Sequence, residues 1–203
     1  MLSEFFLGSN PSHFRPNKLV QAFIFSETLL WSAWNFVTPI FAVFVVEKIK
    51  GGNIEIAAFA FSAYLIARVI IEIISGELLT GKKDLIKLWV TIAGMILLTF
   101  AYIGFAFTNT IVLLFVFYLL TGIGIGIASP AKNSLFSMHL DKDKESTEWG
   151  AYDAVTYVGV ALATALGGFI ATEYGFRVLF LIAAIVNILG ITPYVLYIRK
   201  YLP

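Results

Sequence analysis

The sequence contains no cysteine. Disulfides and thiolate metal ligands are therefore excluded, and nothing marks the redox compartment. Histidine is almost as scarce, with two residues, His13 and His139. Both are expected outside apolar segments, so no metal site and no cofactor is indicated. Charge is also short: Asp, Glu, Lys and Arg make up 13% of the chain, against roughly 25% in a typical soluble domain. Their formal balance is +1, which gives no electrostatic basis for nucleic-acid binding. The opening MLSEFFLGSNPSHFRPNK lacks the basic start and apolar run of a cleavable signal peptide.

What is present is apolar. Hydrophobic residues reach 59%, mean hydropathy is +0.87, and there are nineteen Phe. Thr28–Val46, Ala154–Thr172 and Val178–Ile198 carry no charge, and each is long enough to cross a bilayer. Leu88–Ala131 is an uncharged run of 44 residues. As one helix it would extend about 66 Å, roughly twice the hydrocarbon thickness. It must fold back, and Thr108-Asn109-Thr110 is its polar break. The pattern predicts an all-α integral membrane protein with six transmembrane helices near 18–46, 54–80, 86–107, 111–138, 148–172 and 177–199. A tail, 1–17, precedes a six-helix domain, 18–203.

An even number of spans puts both termini on one side. That side collects nine Lys and Arg, and the other only Lys48, Lys50 and Arg177. The positive-inside rule makes both termini cytoplasmic in a multi-pass protein of the cell membrane.

Small residues concentrate between Tyr118 and Arg177. Gly122 and Gly126 precede Pro130, and Gly150, Gly159, Gly167 and Gly168 follow the charged loop at 139–147. In lipid such residues let helix backbones approach closely. Gly122-Ile-Gly-Ile-Gly126 follows an apolar helix rather than a strand, which excludes a nucleotide-binding turn.

The glycine series from Gly150 to Gly168, with Gly175-Phe176-Arg177 opening the last span, resembles one half of a major facilitator superfamily transporter. The resemblance covers about Lys18 to Arg199. The fifth-helix antiporter motif matches at Gly150, Gly159, Gly167 and Gly168, with Ala163-Thr164 in place of the motif's Gly-Pro. The second-loop motif survives in part as Gly76-Glu77-Leu78 and Gly81-Lys82-Lys83. Tyr118 stands where the family places an arginine linked with proton coupling, which argues against standard drug/proton antiport. The resemblance implies one half of the twelve-helix fold. The chain then reads as a half-size secondary transporter that moves a small organic solute by alternating access, as a parallel homodimer. A non-transporting scaffold or accessory subunit, and one half of a two-chain heteromeric transporter, remain open.

Charges inside a membrane cost about 2.5–3.5 kcal/mol each at mid-depth. Glu27, Arg68 and Glu72 fall inside expected spans, with Arg68 and Glu72 four residues apart on one face. They form either a buried cluster for a proton, ion or charged solute, or a structural pair that Glu27 joins. Trp31, Asn35 and Thr38 extend a stripe from Glu27, with Trp34 beside it, suited to lining a cavity for an amphipathic, preferably cationic, solute. The competing reading faces the tryptophans to lipid. Lys132 and Asp153, at similar depth, offer a cytoplasmic gate pair or a static brace. The spans hold no Ser/His or His/Glu constellation, so no enzyme is expected.

Overall fold

The computed structural model describes residues 16–201, without the side chains of Lys200 and Tyr201. The expected tail, 1–17, lies almost wholly outside the described residues. The described chain is helical: α1 Lys18–Asn35, a 3-10 turn Thr38–Ile40, α2 Phe41–Lys48, α3 Ile54–Leu79, α4 Asp84–Phe107, α5 Ile111–Met138 and α6 Glu145–Tyr201. Five stretches are long and apolar enough to cross a membrane: Lys18–Lys48, Ile54–Leu79, Asp84–Phe107, Ile111–Met138 and Glu145–Arg199.

Local sequence explains the boundaries. Asn17 caps α1, its Oδ1 accepting from Leu19 N at 3.0 Å and Val20 N at 2.9 Å. Its Nδ2 donates to His139 O at 2.9 Å and Asp141 Oδ1 at 3.0 Å. One amide thus starts the first helix and anchors it to the α5–α6 loop. Asn53 caps α3 through Ile56 N at 2.8 Å. At the opposite end Lys50 N bonds Asn109 O at 3.0 Å, clipping the α2–α3 and α4–α5 turns together.

Pro39 explains the interruption between α1 and α2. It has no N–H to give Asn35 O, four residues earlier, and the chain passes through the 3-10 turn instead. Thr164 of α6 donates its hydroxyl to that carbonyl at 3.5 Å, which is how lipid-buried helices tolerate proline.

The turn expected around Glu173–Phe176 is not a loop. Helical geometry continues on both sides of Gly175, whose φ of 82° and ψ of 164° alone break it. That left-handed region carries little penalty for glycine. Contacts with the first helix show that the chain reverses there. Gly159 packs on Thr28 and Gly167 on Phe36, so the arm 145–174 ascends with α1. Phe180 meets the Phe44 ring at 4.9 Å, Gly190 approaches Ser26 O, and Tyr194 meets Phe23 at 5.5 Å, so the arm 176–201 descends along it.

Glycine sets the helix spacing at three interfaces; at one, a Cβ on Gly94 of α4 would stand 2.5 Å from Gly124 O of α5. A Cβ on Gly122 would stand 2.5 Å from Tyr64 O, and one on Gly126 would stand 2.8 Å from Ile71 Cβ, so α5 lies directly against α3. A Cβ on Gly167 would collide with the Phe36 carbonyl, fixing the first arm of α6 on α1. Gly150 and Gly168 differ: nothing stands within 4 Å of a Cβ at either, so these two do not act as packing positions among the described residues.

An aromatic core joins the helices away from Asn17. Tyr118 meets Phe41 at 4.4 Å and Phe105 at 5.3 Å, and Phe105 stacks on Phe180 at 5.2 Å. The position that the resemblance assigns to an arginine therefore holds a ring, 3% exposed, in an aromatic cluster. Outward, α3 exposes its apolar Ile66, Val69, Ile70, Ile73 and Ile74.

Candidate functional site: a buried ion pair beside an aromatic cavity

Glu27 sits on α1 at 3% exposure, and Lys132 on α5 at 4%. Their side chains form an ion pair between Lys132 Nζ and Glu27 Oε2. Two tyrosines complete the carboxylate's surroundings. Tyr152 OH, from the first arm of α6, donates to Oε2 at 3.1 Å, and Tyr194 OH, from the second arm, donates to Oε1 at 3.5 Å. The Lys132 ammonium also lies 5.5 Å from the centre of the Trp31 ring. Three helices contribute, and the group is neutral as a whole. An unpaired charge at this depth would be costly, whereas a hydrogen-bonded pair is tolerated.

This arrangement corrects two expectations. Glu27 does not join Arg68 and Glu72. Those two pair separately on α3, Arg68 Nε to Glu72 Oε2 at 3.1 Å, with the guanidinium also donating to Tyr64 OH at 3.3 Å. Nor is Lys132 paired with Asp153: it is committed to Glu27, and Asp153 has no ion-pair or hydrogen-bond partner among the described residues. Depth along each helix suggested the gate pair, but only helix rotation decides which side chains face each other.

Next to the pair lies a cavity of about 360 Å³ lined by Trp31, Trp34, Asn35, Tyr152, Asp153, Thr156, Tyr157 and Val160. The volume falls within the usual range for small-molecule sites. Trp31, Trp34 and Asn35 from the expected stripe meet here. Glu27 and Thr38 do not line it. Thr38 turns its hydroxyl back to Trp34 O at 2.8 Å and borders the aromatic core. Asn35 likewise donates its amide nitrogen to Trp31 O at 2.9 Å.

Two polar groups in the cavity stay unsatisfied. Thr156 Oγ1 is buried without a partner, in a residue 5% exposed, and Asp153 is exposed and unpaired. Burying a hydroxyl without a partner costs about 1–3 kcal/mol, so Thr156 keeps an unused hydrogen-bonding capacity at this wall. Trp34 also contacts Tyr64, with ring centres 5.0 Å apart, which links the cavity to the Arg68–Glu72 pair through Tyr64.

Sequence reasoning did not assign Tyr152 or Tyr194 to Glu27. A partial signal was present: Arg68 and Glu72, four residues apart on one helix, can pair locally, which frees Glu27 for a partner on another helix.

A second polar cluster lies at the Asn17 end. His139 Nδ1 donates to Leu135 O at 2.7 Å, and Glu148, 1% exposed, accepts from Asp141 N at 2.8 Å. The Asn17 amide, seconded by Lys144 at 3.3 Å, holds the Asp141 carboxyl below the usual carboxylate range, against a smaller opposing effect of burial.

Comparison with known proteins agrees with this architecture. The bacillibactin exporter of Bacillus subtilis is 35% identical over 89 residues, which is 44% of this chain and 22% of that protein. The proton-coupled antiporter flippase LtaA of Staphylococcus saprophyticus is 26% identical over 98 residues, 48% of this chain and 24% of that protein. Among solved structures, the POT family transporter PepTSo superposes with a TM-score of 0.72 at 16% identity, over 90% of this chain and 37% of that one. A peptide transporter POT in complex with sulfate gives 0.69 at 21% identity, over 92% and 38%. The chain thus matches about a quarter of each curated relative's length and under two fifths of each solved chain. The Major Facilitator Superfamily itself matches over residues 23–202. With its apolar helices and this fold, the chain is an integral membrane protein that belongs to the Major Facilitator Superfamily.

Proposed function

We propose that this chain is one six-helix half of a secondary transporter that moves a small organic solute by alternating access, with a second copy of itself supplying the other half. The reversal at Gly175 supports six spans, because the two arms of α6 run in opposite directions along α1. The clip of Asn17 to the α5–α6 loop and the Lys50–Asn109 clip define two opposite ends. The basic residues crowd the Asn17 end, which supports cytoplasmic termini.

The observation that carries the reading is the 360 Å³ cavity with an unpartnered Thr156 hydroxyl and an unpaired Asp153. A scaffold would be expected to pair off its buried polar groups and leave no such space. Trp31, Trp34 and Asn35 contact the solute in this reading, the Arg68–Glu72 pair borders its path through Tyr64, and the neutral Glu27–Lys132 pair is the element that can break and re-form during rocking. The cavity opens to the side, with Tyr157 67% exposed, and a two-fold partner would close it.

The chain has no cysteine, so a Tyr157→Cys variant carries a single thiol. In membranes a short bis-maleimide should crosslink it to a dimer, and native mass measurement should find two copies. Proteoliposomes of the purified chain should accumulate solute. A preparation that transports as a monomer would refute the homodimer, and a dimer that moves no solute from a broad panel would refute transport.

A further inference from the structure

We infer that the cavity between α1 and the first arm of α6 is a binding site for a monovalent organic cation, with Asp153 as its counter-ion. The inference rests on the transport reading for its biological use, but the binding itself does not.

Three observations carry it. The first is the surplus of negative charge. Every other ionisable group near the cavity is neutralised: Glu27 by Lys132, and Glu72 by Arg68. Asp153 alone has no partner among the described residues, while it lines the space. It lies five residues, roughly 7–8 Å, past the expected start of that span at residue 148, where an accompanying cation offsets the cost of a carboxylate in the membrane.

The second is the surrounding surface. Trp31, Trp34, Tyr152 and Tyr157 bring four aromatic rings to one small cavity. Ring faces attract cations, and they favour large, weakly hydrated ones such as alkylammonium groups over compact inorganic ions. Trp31 already has the Lys132 ammonium 5.5 Å from its centre, so this indole is placed against a cation within the protein itself.

The third is the unpartnered Thr156 hydroxyl, buried on the same wall. It supplies one directional hydrogen bond to a polar group on the guest. The carboxylate, the rings and the hydroxyl together describe an aromatic ammonium compound with a hydroxyl or ether. An anion would meet Asp153 and find no free cationic partner, because Lys132 is committed to Glu27.

Binding can be measured on the full chain in nanodiscs by the change in tryptophan fluorescence, with benzyltrimethylammonium as the probe. Benzenesulfonate, of similar size and opposite charge, is the comparison. The cation should bind saturably and benzenesulfonate should not. Asp153→Asn should weaken the cation at least about tenfold, Asp153→Glu should retain most of the affinity, and Tyr157→Leu should weaken it several-fold. Circular dichroism checks that the variants stay folded. Equal affinity for benzenesulfonate, or unchanged affinity in a folded Asp153→Asn protein, would overturn the inference. Uptake assays run in parallel keep the two readings apart. Cation binding without uptake in proteoliposomes supports the site and removes the transport reading. Uptake of another solute by protein that binds no cation removes the site alone.

Discussion

Removing the Glu27 carboxylate should destabilise the protein more than removing its partner. Glu27→Gln leaves the Lys132 ammonium 4% exposed with an amide group and the Trp31 ring beside it but no counter-charge. Lys132→Met leaves the carboxylate with two hydroxyl donors, Tyr152 at 3.1 Å and Tyr194 at 3.5 Å. Breaking a buried pair by removing one partner costs about 3–5 kcal/mol. Glu27→Gln belongs at the top of that range, and Lys132→Met at or below the bottom. For a chain of this length about 2–4 °C accompanies each kcal/mol, so Glu27→Gln should lower Tm by roughly 10–20 °C. The double variant buries no charge, and the amide that replaces the carboxylate can accept from one tyrosine through its oxygen and donate to the other through its nitrogen, so it should be more stable than Glu27→Gln alone. Thermal unfolding of the wild type, both single variants and the double variant in one detergent gives the cycle, with an expected coupling of at least about 2 kcal/mol. Additive losses, or a Lys132→Met variant less stable than Glu27→Gln, would refute the argument that the tyrosines stabilise the carboxylate.

Neighbouring glycines should respond in opposite directions. Gly167→Ala drives a methyl into the Phe36 carbonyl and should cost about 1–3 kcal/mol. Gly168→Ala meets nothing within 4 Å and should be neutral or stabilise by up to about 1 kcal/mol; unfolding midpoints compare the two. At the Asn17 end, the depressed Asp141 contributes stability that is present above its unfolded pKa and is lost as pH falls through the lower folded value. The stability gap between wild type and Asn17→Ala, followed by unfolding against pH, should hold at neutral pH and narrow as pH falls through and below the usual carboxylate range. Asn187, fully buried, bonds Met95 O at 2.7 Å and Thr99 Oγ1 at 2.9 Å while its own Oδ1 finds no partner. Asn187→Leu removes that unsatisfied acceptor together with the bonds, so its cost should stay below about 1.5 kcal/mol. Asn187→Asp should cost several kcal/mol by burying a charge or forcing its protonation. Chemical unfolding of the two variants in one detergent ranks them.

Sequence alone determined the solvent and the elements. Uncharged runs of bilayer length can only be membrane helices, since lipid leaves no other partner for backbone N–H and C=O groups. The break at Thr108–Thr110, the proline at 39 and the glycine at 175 are local chemistry and were visible in place. So was the relation to the family, carried by the glycine series from Gly150 to Gly168. Which glycines pack was not visible. Gly167 and Gly168 are adjacent, yet a helix turns about 100° between them, so one meets Phe36 and the other open space. The partners of the buried charges were hidden for the same reason. Depth along a helix follows from residue number, but the facing neighbour depends on how each helix is rotated and which helix lies beside it. Tertiary structure gave Glu27 to Lys132, with tyrosines from both arms of α6, and so left Asp153 as the one unpaired carboxylate beside the aromatic cavity among the described residues.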